Sequence, residues 1–206
     1  MEKESADKKE SRVLKILILG VKRIHYNSPV ILTYAAISLV LLLLGYISGG
    51  VITEFLVLRP EFGVLNLLRM FTYAFGHADF THFFANFSII LLIGPLIEEK
   101  HGSKKLLLMM IVTAFITAII HIIFFNTGLL GASGIVFMLI LLTPFTNTKT
   151  GKIPLTLILI ALIYIGREVF LGITVEDNVS RFAHIFGGIL GACMGYFIKE
   201  KGVKTI

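Results

Sequence analysis

Six apolar stretches, set apart by charged or glycine-containing turns, govern what this chain can fold into. They run from about Val30 to Ile47, Thr81 to Ile97, Lys105 to Phe125, Ser133 to Phe145, Ile153 to Phe170 and Arg181 to Ile198. Most approach the ~20 residues an α-helix needs to cross the ~30 Å hydrocarbon core of a bilayer. Backbone polar groups find no water at that depth, so spans of this kind fold as helices. The expectation is an all-α polytopic membrane protein, a bundle of six transmembrane helices. A hydrophobic share of 56% and a mean hydropathy of +0.88 agree with it. The formal charge of +6 does not mark a nucleic-acid binder, because the basic residues cluster at the ends of the apolar runs.

Three parts are expected along the chain. Residues 1–28 form a basic N-terminal segment, and Arg12 to Tyr26 reads either as a basic helix lying on the membrane or as a solvated leader. Residues 29–200 form the membrane domain, with a long outer loop at 48–80 that reads as a folded insertion at the membrane rim. Residues 201–206 are a short tail. The charged start, with no small-residue cleavage site, argues against a removable signal peptide. Lysines fall on one side only: the N-terminus, Lys100, Lys104 and Lys105, Lys149 and Lys152, and Lys199, Lys201 and Lys204. That side is expected to be cytoplasmic, with both termini on it. The one cysteine, Cys193, excludes an intrachain disulfide and a cysteine-based zinc site, and reads as a buried packing residue.

The fourth apolar stretch is too short. From Ser133 to Phe145 a helix covers roughly 20 Å, about 10 Å less than the hydrocarbon thickness. Ser133, in Gly131-Ala132-Ser133-Gly134, is thereby placed on a helix N-terminus sunk beneath the outer face. Small residues here also suit plain close packing of helices. Measured from the cytoplasmic ends, His184 on the sixth stretch lies at a similar depth, about 21 Å, and Asn86 on the second at about 18 Å with His82 one turn above it. Polar groups from three spans therefore meet in one layer, and ionisable residues inside spans are functional candidates.

Their chemistry is complementary. A serine hydroxyl becomes a nucleophile when a base takes its proton, and histidine suits that role near neutral pH. The backbone N–H of Ser133, at a helix start, can donate to a developing oxyanion, and His82 and Asn86, at i and i+4, can add side-chain donors. No carboxylate is expected at this depth to orient His184, and Asp79 and Asp177 read as rim residues. Phe137, one turn below Ser133, either stacks on the imidazole or makes ordinary core or lipid contact. Gly187 and Gly191 share the face of His184 and form a small-residue stripe that lets two helices approach closely. His184 taken alone also suits a helix–helix hydrogen bond. Beside Ser133, catalysis is the stronger reading.

These residues resemble the rhomboid intramembrane serine proteases in their basic six-span form, from about Leu68 to the sixth span. The serine motif matches Gly131-Ala132-Ser133-Gly134. The histidine motif matches Ala183-His184 with Gly187 and Gly191, and the second-span signature matches His77, His82 and Asn86. The turn from Gly94 to Ser103 is similar as well. The resemblance implies Ser133 as nucleophile and His184 as general base. His82, Asn86 and the Ser133 amide would hold the oxyanion, with Gly131, Gly134 and Phe137 in support. It also implies no metal or cofactor, and substrates that are transmembrane segments of other proteins, cut near the outer face. His77 would shape the site or merely pack the loop. Two departures stand out: Leu68-Arg69 where Trp-Arg is frequent, and Phe at 137 where some members carry Tyr. Three other classes share parts of this pattern: a catalytically silent rhomboid-like scaffold, a transporter using His82, His121 and His184, and a zinc enzyme. The scaffold is the main alternative, because the transporter lacks a continuous polar track and the zinc enzyme lacks ligand spacing.

Overall fold

The computed structural model describes residues 26–147, 152–174 and 181–198. The reading of residues 12–25 as a surface helix, and the tail, lie outside them. The described chain is all-helical. Each of the six apolar stretches is a helix: α1 (Pro29–Ile47), α4 (Phe80–His101), α5 (Ser103–Phe124), α6 (Ser133–Leu142), α7 (Leu155–Thr174) and α8 (Arg181–Phe197). Two shorter helices, α2 (Val51–Leu56) and α3 (Val64–Thr72), fill the segment between α1 and α4. Among the described residues, α1, α4 and α5 have the length and hydropathy to cross a membrane by themselves.

α6 is the centre of the bundle. Every residue from Gly134 to Leu142 is buried, and a helix that is apolar all round is stable only when enclosed on all sides. It packs most extensively against α8, and also against α4 and α5. The sequence permits the α6–α8 approach because α8 presents glycines. A Cβ at Gly187 would stand 2.1 Å from the Gly134 carbonyl oxygen, and one at Gly191 would stand 2.1 Å from that of Met138. No side chain larger than hydrogen fits at that separation.

α1 is tied to the opposite end of α4 by one carboxylate. Glu98, only 3% exposed, accepts the backbone N–H of Val30 (3.0 Å) and of Ile31 (3.1 Å) and the hydroxyl of Ser103 (2.7 Å). First-turn amides have no intrahelical acceptor, and a negative charge at a helix N-terminus is favourable. Glu98 supplies both needs from a neighbouring helix.

The segment between α1 and α4 is folded, as its mixed composition suggested. Asn66 of α3 accepts the Arg59 N–H (3.1 Å) and donates to the carbonyls of Arg59 (2.7 Å) and Glu61 (2.6 Å). Arg69, one turn on, donates through Nε to the Phe55 carbonyl (2.9 Å), pairs with Glu61 (3.4 Å) and lies 5.9 Å from the Phe55 ring. Leu68 in place of a tryptophan does not cost the loop its anchor. Its partner Arg69 carries the contacts, while Leu68 faces outward at 59% exposure. Leu58 and Leu129 exchange backbone hydrogen bonds of 3.0 and 2.9 Å, which joins this insertion to the chain just before Ser133.

Cys193 corrects the expectation of a packing cysteine. It is exposed on α8, because Gly187, Gly191 and Gly195 form the inward face and residue 193 falls on another.

Candidate active site

The chain breaks before α6 for a local reason. Gly131 has φ +125°, a conformation that L side chains rarely adopt. Its N–H donates to the Tyr73 carbonyl at 3.0 Å, and any Cβ there would come within 2.8 Å of the His82 imidazole. The turn is thus anchored from below by Tyr73 and faced from the side by His82. α6 then begins at Ser133. By position the amides of Ser133, Gly134 and Ile135 have no intrahelical acceptor, and Val136 makes the first such bond, to Ala132. A cluster of N–H donors with the helix dipole behind it therefore opens at the serine.

His82 and Asn86 come from the first two turns of α4. Asp79 caps that helix by accepting the His82 N–H at 2.7 Å, which fixes where the turn carrying His82 starts. Asn86 is buried and donates one amide hydrogen to the His82 carbonyl (3.1 Å). Its second amide hydrogen is the one available to a ligand. His77 lies behind His82, the ring centroids 5.0 Å apart and edge to face. Its Nδ1 is 3.2 Å from the Phe75 carbonyl, and the ring packs on Phe83 and Phe87. It therefore supports the His82 ring from the rear. Burial first, and then the neighbouring His82, push the His77 imidazole down to about 4.

His184 is held in α8 against α6. Its ring stacks on Phe137, centroids 4.6 Å apart and planes within 5°. Of the two readings for Phe137, stacking is the one the geometry takes. Phe137 lies one turn from Ser133, and Gly134, next to the serine, packs directly on Ala183 and Gly187. Ser133 and His184 thus belong to two helices in backbone contact. Among the described residues no hydrogen bond yet joins Ser133 Oγ to His184.

One expectation is corrected. A carboxylate does reach this layer: Glu168 of α7 lies 2.8 Å from His184 Nδ1 and is 2% exposed. The same carboxylate accepts from Arg167 at 2.9 Å and stands 3.6 Å from Arg181. α7 runs past the end expected at Phe170 to Thr174 and carries Glu168 more than a turn inside the helix. The signal was present in the sequence: Arg167-Glu168 interrupts an apolar run, and charge within a span rarely lies there without a partner. His121, by contrast, takes no part in these hydrogen bonds. Its Nε2 meets the Thr127 carbonyl at 2.8 Å and pins the α5–α6 connection. Among the described residues no cluster of three or more His, Cys, Asp or Glu could hold a metal.

An all-helical membrane bundle with a helix break at a Gly-Ala-Ser-Gly turn, facing a histidine on a glycine-striped helix, defines a recognisable class. A sequence profile of the Rhomboid domain matches residues 65–201, and the chain belongs to the rhomboid family. It is also 30% identical over 135 residues to RHOMBOID-like protein 1 of Arabidopsis thaliana. That match covers 62% of this chain and 33% of the plant protein, so the chain spans about a third of that relative's length.

Proposed function

We propose that this chain is an intramembrane serine endopeptidase that cuts transmembrane segments of other membrane proteins near the outer face of the bilayer. The observation that carries the proposal is the backbone contact of α6 with α8, which lays the His184 ring on Phe137 one turn from Ser133. In this reading Ser133 Oγ attacks the scissile carbonyl carbon and His184 Nε2 takes its proton. The Ser133 N–H, the His82 imidazole and the free Asn86 amide hydrogen then stabilise the oxyanion. The imidazolium returns its proton to the leaving amine, and a water molecule, activated by the same base, releases the acyl-enzyme. Nucleophile and base are commonly loosely aligned until substrate binds, and the unmade Ser133–His184 hydrogen bond belongs to that pattern. Gly131, Gly134, Gly187 and Gly191 set the spacing, and His77 backs His82.

The topology that goes with this reading has six spans, both termini on the cytoplasmic side and Ser133 opening outward. α6 starts below the outer surface, so a substrate helix must unwind to present an extended peptide bond there. Segments with helix-destabilising residues and a small residue before the cleaved bond are the substrates that suit it. The test is cleavage of such a segment in proteoliposomes by the unaltered protein, Ser133→Ala and His184→Ala. Loss of product in both variants, on the order of 10⁴-fold or more, is expected. Equal product from all three would leave the silent-scaffold reading in its place.

A further inference from the structure

The carboxylate of Glu168 does more than neutralise arginine. We propose that Glu168 is the third member of the catalytic group: a positioning residue that fixes the tautomer and orientation of His184 through Nδ1. This rests on Ser133 and His184 acting as nucleophile and base. Glu168 sits between two arginines, with Oε1 on Arg167 and Oε2 nearest Arg181, and a carboxylate can only accept hydrogen bonds. The neutral imidazole must therefore carry its proton on Nδ1, the atom 2.8 Å from Oε2. Nε2 is left with a free lone pair for the Ser133 proton.

When that proton arrives, the new imidazolium faces a buried anion already in place. The proton stays on Nε2 until it passes to the leaving amine, and Glu168 takes none. Phe137 holds the flat of the ring while Glu168 holds its edge. Together they leave the ring little freedom to turn. A latch joining α7 to α8 through Arg181 is the competing role, but the carboxylate is nearer to His184 (2.8 Å) than to Arg181 (3.6 Å).

Among the described residues, the charged and titratable groups facing His184 are Glu168 and Arg167 on α7, Arg181 on α8 and His82 on α4. Glu168→Gln keeps the size and removes the charge. Its kcat should fall on the order of 100-fold with KM within about threefold. This is less than the about 10⁴-fold of the Ser-His-Asp template, because Phe137 remains to orient the ring. The acid limb of the rate profile should move to lower pH, since the nearby anion that favours imidazolium is gone. Glu168→Asp should recover part of the rate. Nitrogen NMR of histidine-labelled, unaltered protein gives a reading that needs no variant, and the Nδ1–H tautomer of His184 is expected.

An Nε2–H tautomer would overturn the assignment. So would a Glu168→Gln protein with the kcat and pH profile of the unaltered one. An unaltered protein that cleaves nothing while retaining the Nδ1–H tautomer would instead count against the protease reading.

Discussion

Single residues explain most of the local geometry, and several carry two constraints at once. Gly131 must be glycine for its positive φ and again because the His82 ring occupies the space of a Cβ. Asp79 fixes the start of α4, and through it the height of His82. His77 shows how burial chooses a protonation state. Its folded pKa of about 4 lies below the ordinary 6.5. Between those two values the unfolded chain binds a proton that the folded protein refuses, so stability falls as pH drops from about 6.5 towards 4. His77→Leu is expected to flatten that part of the curve of thermal midpoint against pH in detergent. A slope identical to that of the unaltered protein would mean that the ring is solvated and supports nothing.

Between elements, the decisive contact is that of α6 with α8, and the glycines of α8 near it are not equivalent. At Gly187 and Gly191 an added methyl would strike the backbone of α6, whereas at Gly188 it would meet the end of the Ile165 side chain at 2.8 Å. Backbone cannot step aside without parting the helices, but a side-chain terminus can turn. Gly187→Ala and Gly191→Ala are therefore expected to cost about 1–3 kcal/mol each and to lower cleavage at least tenfold. Gly188→Ala should remain near the unaltered protein in both. Thermal midpoints and initial rates measured side by side check this, and equal effects at all three positions would contradict it. The stripe was legible in the sequence from spacing alone, because positions four apart on a helix share a face. The identity of the facing backbone was not, since nothing local announces which carbonyl lies opposite.

At the scale of the whole molecule, hydropathy located the helices well and the residues at which they end less well. The six apolar stretches became six helices because apolar length and helical hydrogen bonding are both local properties. The break at Gly131 and the short α6 were readable for the same reason. The pairing of Glu168 with His184 was not, because it depends on how α7 lies against α8 and on how far α7 runs, four residues beyond the end expected at Phe170. Cys193 was misplaced because an apolar helix in a bundle has one face on its neighbours and another turned outward, and composition does not tell them apart. The insertion between α1 and α4 was legible as a folded segment, but not the contacts that hold it. The fork of Asn66 and the reach of Arg69 to Phe55 are tertiary contacts that only the fold reveals.

Everything the bundle arranges converges on one hydroxyl at the start of α6, and a fluorophosphonate probe asks directly whether that hydroxyl is activated. The protein in proteoliposomes is treated with the probe, digested, and the adduct placed by tandem mass spectrometry. Labelling at Ser133 that disappears in His184→Ala is the predicted result. Labelling that is absent from Ser133, or that persists undiminished without the histidine, would contradict it.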